Sequence, residues 1–305
     1  MKRGSGGGTL CDIVGYYSDL GFLFDEVSGH SRFMNLGYCQ SGPDGGSMAR
    51  VQERLIRKVS EAACIGKGMR VLDLGCGLGG PAMWLARRFG CRVFGVDPGV
   101  FQMRSIRDAM KEHSGTVAFR AVYGDAHFLP FRADSFDRAY SIESAFHFSD
   151  KGRFLGESSK ALRRRGMLVV ADIVQSGAGK GSWLSRRLGR ALAAETFFDA
   201  DAYKSAALKA GLMPAGSKDI TEGVRKTLPL WRNAFFRNLP LLMRTYPILL
   251  MAKIGLALVV VPLVLPVMPF RYMLLVFRKE NGLRNSRNFP RRAAGSKKRP
   301  VISSV

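Results

Sequence analysis

The sequence has few cysteines, and their arrangement argues against both a disulfide framework and a zinc site. The 305 residues contain five cysteines, an odd number, and no two of them form a C-x-x-C pair. This argues against a disulfide framework and against zinc, so we predict no metal site and reduced thiols on the cytosolic side. Residues 1–8 lack the apolar segment of a secretory signal, and we expect a leader without a targeting role.

Acidic residues are scarce relative to basic ones, which indicates an anionic partner. The chain has 47 Lys and Arg against 24 Asp and Glu, a formal net charge of +23. This excess suits either nucleic acid or an anionic membrane surface and does not decide between them. Because 47% of the residues are hydrophobic, the chain can bury a core, which excludes global disorder.

Between residues 69 and 175, short apolar runs alternate with segments of helical periodicity. The pattern predicts strands over 69–74, 91–96, 117–122, 136–142 and 167–174, and helices over 81–89, 101–112 and 151–162. This βαβα order predicts an α/β, doubly wound fold, in which a parallel sheet carries helices on both faces.

The C-terminal third has a different composition. Tyr246–Phe270 is almost wholly apolar, with Lys253 as its only charge and three prolines in its second half. A strand pattern follows over 271–278. We divide the chain into a helical cap on the substrate side (1–68), a cofactor-binding core (69–222), an apolar insertion (223–270), a last core strand (271–279) and a basic, disordered tail (280–305).

A glycine-rich loop, Gly75–Gly80, follows the first predicted strand and opens the first helix. Alone, it also fits the dinucleotide-binding fingerprint. Asp73 favours another ligand, because a carboxylate before the loop repels a pyrophosphate but suits the α-amino group and sulfonium of S-adenosylmethionine. The glycines let the backbone approach this ligand, and the helix N-terminus can receive its carboxylate.

Carboxylates also follow the next two predicted strands. Asp97 lies 24 residues beyond Asp73, near the spacing at which a carboxylate binds ribose hydroxyls. Asp125 follows the third strand, where it could accept a hydrogen bond from the adenine amino group. Any one of these acids could be a helix N-cap, but three at successive strand ends predict an S-adenosylmethionine site.

Residues 69–175 resemble a class I S-adenosylmethionine-dependent methyltransferase. The stretches Gly124–Phe131, Ser135–Asp137 and Ala161–Gly166 are similar to the branch that contains sterol C-methyltransferases, tocopherol methyltransferases and phthiotriol-type lipid O-methyltransferases. Phe33–Tyr38 resembles the N-terminal motif of these enzymes, with Cys39 in place of their usual Trp. The similarity covers residues 12–222.

The resemblance implies a Rossmann-like, mostly parallel sheet of seven strands with the apolar insertion before the last strand. It also implies the residues that contact the cofactor, S-adenosyl-L-methionine. These are Asp73, Gly75, Gly77, Gly79, Asp97, Gln102, Asp125, Ala126, Ile142 and Tyr17, with Tyr16 as the alternative to Tyr17.

The segment Glu143–Phe148 follows the fourth predicted strand, where the crevice of an open α/β sheet lies. If this segment is helical, Glu143 and His147 share a face at i,i+4. His147 could then take a proton from a hydroxyl acceptor, because histidine titrates near neutrality; packing in the strand–helix turn is its structural alternative. With a carbon acceptor, Glu143 would instead stabilise a carbocation. We expect the remaining histidines, at positions 30, 113 and 127, to be structural.

These features predict a methyltransferase for a lipophilic small molecule, such as a lipid, polyketide, sterol or prenylated ring. Methylation of a hydroxyl is favoured, and C-methylation of a sterol-like or tocopherol-like acceptor is the alternative. RNA methylation suits the charge, but we find no interleaved aromatic and basic recognition module and expect no nucleic-acid partner. A non-catalytic cofactor-binding protein is a further alternative, against which the intact glycine loop and its acids argue. The oligomeric state is not predicted.

The sequence also predicts association with an anionic membrane surface on its cytoplasmic side. The uncharged stretch 254–270 is shorter than the roughly 20 residues that span a bilayer, and a single crossing would separate the last strand from its sheet. We expect 239–270 to be a monotopic or re-entrant element, or an apolar cap over the active site. Residues 183–190 are a basic amphipathic candidate, and the basic tail could add electrostatic attraction.

Overall fold

The structure is a computed structural model that describes residues 21, 23–40, 47–112, 117–176, 197–264 and 269–280. Tyr16, Tyr17, His113 and the segment 183–190 lie outside these ranges, as does the basic tail from residue 281 onward. The predictions that fall on them are therefore not addressed.

Seven strands form a single sheet in the order β3-β2-β1-β4-β5-β7-β6. The strands are β1 (Arg70–Leu74), β2 (Arg92–Asp97), β3 (Phe119–Tyr123), β4 (Phe136–Ile142), β5 (Leu162–Gln175), β6 (Leu212–Asp219) and β7 (Phe270–Lys279). Strands β1 to β5 are parallel, and β7 is antiparallel to β5 and β6. The predicted doubly wound, mostly parallel sheet is confirmed.

Helices flank the sheet on both faces. They are α1 (Met48–Ala62), α2 (Gly80–Phe89), α3 (Val100–Glu112), α4 (Lys151–Ala161), α5 (Ala200–Lys209), α6 (Thr221–Arg225), α7 (Leu228–Thr245) and α8 (Ile248–Val264). A short helical stretch covers 23–27. Helices α2 to α4 occupy the three segments for which the sequence predicts helices.

Alternation along the strands creates two cores, one on each face of the sheet. Val71 packs with α1 and α2 on one face, whereas Leu72 and Leu74 pack with α4 and α5 on the other. Adjacent strand residues point to opposite faces, so a strand buried on both sides reads as a continuous apolar run. Because β1 to β5 are parallel, their carboxyl ends lie along the same edge of the sheet.

Two strands differ from the sequence-based expectation. Strand β5 begins at Leu162 rather than at 167, because the pairing with β4 shifts register between Phe136 and Arg138 and Arg165 has a φ of +62°. Strand β6 was not predicted. Only Leu212 of its eight residues is buried, so β6 lacks the apolar alternation that identifies a strand.

The apolar insertion forms a helical hairpin of α7 and α8. Phe235 and Met251 pack with Leu23, Val27 and other residues in a third cluster beside the main cores. Within the described ranges, no helix is both long enough and apolar enough to cross a membrane. The hairpin precedes β7, as the sequence predicts.

Candidate active site

A cavity of about 290 Å³ opens at the carboxyl ends of the parallel strands. Most of the predicted site residues line it: Gly75, Gly77, Asp97, Gln102, Asp125, Ala126, Ile142, Glu143 and His147. Asp73 and Gly79 lie outside the lining. The sequence thus places the cavity correctly, while the contacts of individual residues with a cofactor stay predictions.

Glycine is required at the start of the loop after β1. Gly75 has a φ of +79°, and a Cβ built on it would lie 2.5 Å from Cβ of Ser144. Ser144 follows β4, and its hydroxyl donates to the carbonyl of Leu74 at 2.6 Å. The loop is therefore in direct contact with the segment that carries the acceptor-side residues.

Asp97 connects the glycine loop to the loop after β2. Its Oδ2 accepts a hydrogen bond from the backbone N–H of Gly77, and its Oδ1 from that of Gly99, both at 2.9 Å. Burial raises the pKa of Asp97 to about 6. Each carboxylate oxygen can accept a further hydrogen bond, so Asp97 remains able to bind two ribose hydroxyls.

Asp73 and Gly79 support the loop from behind. Asp73 is 2% exposed, and its Oδ2 accepts a hydrogen bond from the Tyr140 hydroxyl at 2.7 Å. Burial raises its pKa to about 7. Gly79 has a φ of +79°, and a Cβ there would lie 2.7 Å from the Phe119 ring. From outside the cavity lining, Gly79 therefore affects the shape of the loop, and the Asp73 carboxyl group affects its electrostatics.

Asp125 is oriented by a neighbouring histidine. Its Oδ1 accepts hydrogen bonds from the backbone N–H of His127 at 2.9 Å and from Nδ1 at 2.7 Å, and the pKa of Asp125 is lowered chiefly by the latter. The N–H of Asp150 donates to Nε2 of His127, which assigns the ring proton to Nδ1. His127 thus orients Asp125 and also lines the cavity, and its structural role stays a prediction.

Two amide oxygens in the cavity wall are buried without a partner. Oε1 of Gln102 and Oδ1 of Asn35 have no hydrogen bond to any described residue. Such atoms are costly when they are left unpaired, and in a ligand cavity they fit a ligand that carries donors. Together with the carboxylates of Asp97 and Asp125, they fit the ribose, adenine and ammonium donors of S-adenosylmethionine.

The segment 31–40 forms a wall over the cavity. Gln52 of α1 is buried, and its Nε2 donates to the carbonyls of Asn35 at 2.8 Å and Phe33 at 3.2 Å. Arg32 reaches the opposite side, where Nε donates to the carbonyl of Leu78 at 3.1 Å. Burial lowers the pKa of Arg32. Neither Arg32 nor Gln52 was predicted, because each acts on a partner that is distant in sequence.

An aromatic ring from the hairpin packs in the cluster that contains Cys39. Cys39 is buried in the same cluster as Trp231 of α7. The indole N–H of Trp231 donates to the carbonyl of Leu36 at 2.8 Å, and its ring packs edge-on against Phe24. Leu36 and Phe24 line the cavity, so the insertion supports this wall.

Glu143 lies in the left-handed region, with a φ of +51°. Its Oε1 accepts hydrogen bonds from the backbone N–H of Leu36 and from the Tyr272 hydroxyl, both at 2.8 Å. Burial raises the pKa of Glu143 to about 7. The condition of a helix over 143–148 is not met, because a 3₁₀ turn covers Ala145–His147 alone. Glu143 and His147 therefore do not share the face of a helix, although both side chains line the same cavity.

His147 is 6% exposed, and its ring centroid lies 3.9 Å from that of Phe146. Asp172 holds the turn in place, since its Oδ2 accepts a hydrogen bond from the N–H of Phe146 at 2.7 Å. Burial raises the pKa of Asp172 to about 8. The cavity that His147 lines has an apolar part, which includes Phe24, Met34, Leu36, Ile142, Phe146, Phe148 and Ile173.

The fold and the cavity define a class I S-adenosylmethionine-dependent methyltransferase, and comparison with known proteins agrees. Residues 72–170 match the family described as a methyltransferase domain. Methyltransferase GfsG of Streptomyces halstedii is 31% identical over 242 residues, which are 77% of this chain and 86% of that protein. Erythromycin 3''-O-methyltransferase of Saccharopolyspora erythraea is 34% identical over 49% of this chain and 48% of its own length. The chain belongs to this methyltransferase family and uses S-adenosylmethionine.

Solved structures share the fold at lower sequence identity. The [4+2]-cyclase SpnF has a TM-score of 0.78 and 22% identity, over 91% of this chain and 98% of its own. Geranyl diphosphate C-methyltransferase from Streptomyces coelicolor, in complex with S-adenosyl-L-homocysteine, has a TM-score of 0.71 and 18% identity, over 88% and 97% of the two chains. At these identities the likeness shows the fold, on which different reactions occur.

Proposed function

We propose that this methyltransferase acts on a hydroxyl group of a lipophilic small molecule, of the lipid or polyketide alcohol class. The observation that carries the proposal is the position of His147, a buried base candidate that lines the partly apolar cofactor cavity. The similarity to the Saccharopolyspora protein, which is named as an O-methyltransferase, supports the choice of oxygen as acceptor.

The residues of the chain contribute alignment and proton removal. When bound, S-adenosylmethionine supplies a methyl group on a sulfonium, which is already activated, so orientation provides most of the rate enhancement. Asp97 and Asp125 orient the donor through ribose and adenine. His147 accepts the hydroxyl proton while the acceptor oxygen forms its bond to the methyl carbon and the carbon–sulfur bond breaks.

Glu143 has a different role in this proposal. Its Oε1 is engaged by Leu36 and Tyr272, so it positions the 31–40 wall against the acceptor pocket. The alternative is C-methylation of a sterol-like or tocopherol-like acceptor, in which the Glu143 carboxylate stabilises a cation on the substrate. The structure of the product distinguishes the two.

The direct test is to incubate the purified protein with methyl-labelled S-adenosylmethionine and a total extract of its native host. We expect label in the organic phase and a methyl ether by NMR. A carbon-bound methyl group would favour the alternative, and label in RNA would refute the lipophilic acceptor.

The role of His147 is tested with one substitution and a matched control. His147→Asn should reduce turnover by roughly 100-fold or more, as for loss of a general base, with unchanged cofactor affinity. His30→Asn is the control, because the His30 side chain is 68% exposed. Equal activity of the two variants would exclude His147 as the base.

A further inference from the structure

The outer face of α8 is apolar and exposed. Ile248, Leu249, Leu256 and Leu263 are 64–75% exposed, and no described residue covers them. They recur at positions that share one side of a helix. Lys253 is the only charged residue in α8. Surface helices of globular proteins carry polar residues on the outer face. An exposed apolar face of this size therefore indicates that another molecule binds there.

Helix α7 also exposes apolar side chains and adds positive charge. Phe236, Leu241 and Met243 are exposed large hydrophobic residues. The cations of the hairpin, Arg232, Arg237, Arg244 and Lys253, are also exposed, and the sequence from 228 to 264 contains no Asp or Glu. We propose that the α7–α8 hairpin docks this enzyme on an anionic lipid surface, with the apolar face in the acyl boundary and the cations at lipid phosphates.

The positive charge of the hairpin favours an anionic lipid surface over a second copy of the chain. A two-fold pairing of identical hairpin faces would place the four cations of one copy near those of the other, without an acid on either side. An anionic leaflet instead complements both features, since it attracts Lys and Arg and accepts apolar side chains.

The hairpin packs behind one wall of the cavity. Trp231 of α7 contacts Leu36 and Phe24, and both of these residues line the cavity. The Tyr246 hydroxyl, between the two helices, accepts a hydrogen bond from the N–H of Leu23 at 3.0 Å.

Co-sedimentation of the full chain with vesicles tests the proposal. Vesicles of phosphatidylcholine with phosphatidylglycerol should bind the protein, and phosphatidylcholine alone should bind it less. The triple variant Leu249→Ser, Leu256→Ser, Leu263→Ser should bind at least about tenfold more weakly, because it loses apolar side chains that enter the acyl boundary. Leu208→Ser, at an exposed leucine on α5, is the matched control.

A second set of variants tests the cations. Arg237→Gln, Arg244→Gln, Lys253→Gln should remove the preference for anionic vesicles, with roughly fivefold weaker binding for each charge neutralised. The matched control neutralises three exposed arginines far along the sequence, Arg87, Arg88 and Arg92. Thermal unfolding of all variants confirms that each is folded, since the altered side chains are exposed.

Three outcomes would overturn the proposal. Both hairpin variants could bind vesicles like the wild type, or a chain ending at Glu280 could lose all binding although its hairpin is intact. Alternatively, the wild type could form a lipid-free dimer that the leucine variant abolishes, which would make a second copy the occupant. Binding is measured without cofactor or acceptor, so its failure is separate from failure of the proposed function.

Discussion

The hydroxyl of Tyr272 lies 2.8 Å from Oε1 of Glu143, and the two residues are 129 positions apart in the chain. This hydrogen bond joins the last strand of the sheet to the loop after β4. Because the same oxygen also accepts the N–H of Leu36, one carboxyl group connects three separate segments around the cavity.

Removing the Tyr272 hydroxyl tests this connection. Tyr272→Phe should raise the pKa of Glu143 above its present value of about 7, because the hydrogen bond from Tyr272 lowers it. We expect stability to fall by about 1 kcal/mol and turnover to fall several-fold with little change in cofactor affinity. The measurements are the pH profile of turnover, cofactor calorimetry and chemical denaturation.

Tyr203→Phe is the matched control for that substitution. The Tyr203 hydroxyl is buried without a hydrogen-bond partner among the described residues, so its removal should leave stability unchanged or increase it. If Tyr272→Phe and Tyr203→Phe gave the same stability and pH profile, the Tyr272–Glu143 bond would have no measurable role.

Buried carboxyl groups should make the apoprotein less stable as the pH rises. The pKa values of Asp97, Asp73, Glu143 and Asp172 are raised to about 6, 7, 7 and 8. Their folded forms bind protons more tightly than the unfolded chain, so this stability is present below pH 4 and is lost as the pH passes through 6 to 8. Chemical denaturation from pH 5 to 8 should show a falling free energy of unfolding.

Glu143→Gln isolates one of these groups. The amide oxygen can still accept from Leu36 and Tyr272 but does not titrate, so the variant should lose less stability than the wild type between pH 5 and 8. Parallel pH profiles for the two proteins would contradict the raised pKa of Glu143.

Gly75→Ala should disrupt the cofactor loop. The φ of +79° and the contact of a Cβ with Ser144 both oppose a side chain, so we expect a loss of at least about 2 kcal/mol in stability and loss of cofactor binding. Gly156→Ala, in α4 with open space around its Cβ, is the control and should stabilise by about 1 kcal/mol. Thermal unfolding and calorimetry would contradict this prediction if Gly75→Ala bound cofactor normally.

Asp73→Asn should discriminate between the charged donor and its neutral-sulfur product. The amide can keep the hydrogen bond from Tyr140 but removes the negative charge beneath the loop. Affinity for S-adenosylmethionine should therefore fall more than affinity for S-adenosylhomocysteine. Calorimetry with both ligands provides the ratio, and an unchanged ratio would show that Asp73 does not act on the sulfonium.

Local patterns predicted the cofactor side of the cavity, because the residues on that side are near in sequence to the strands that position them. Gly75 and Asp125 follow strands β1 and β3, and Asp97 ends strand β2. The end of a strand is visible in the sequence as the end of an apolar run. The partners of Glu143 could not be found in this way, since Tyr272 and Leu36 come from segments that only the folded sheet brings together. A helix over 143–148, considered as a condition for pairing Glu143 with His147, does not form for a local reason, the positive φ of Glu143.

Strand β7 is the last of the seven strands in sequence, yet it lies between β5 and β6. During synthesis, β5 and β6 therefore have no neighbour between them until residues 270–279 leave the ribosome. The apolar hairpin is synthesised before β7, so its side chains are exposed until β7 completes the sheet. Tyr272 contacts Glu143 only after β7 has inserted between β5 and β6. A nascent chain of this enzyme is consequently inactive and exposed to aggregation until all seven strands of the sheet have been translated.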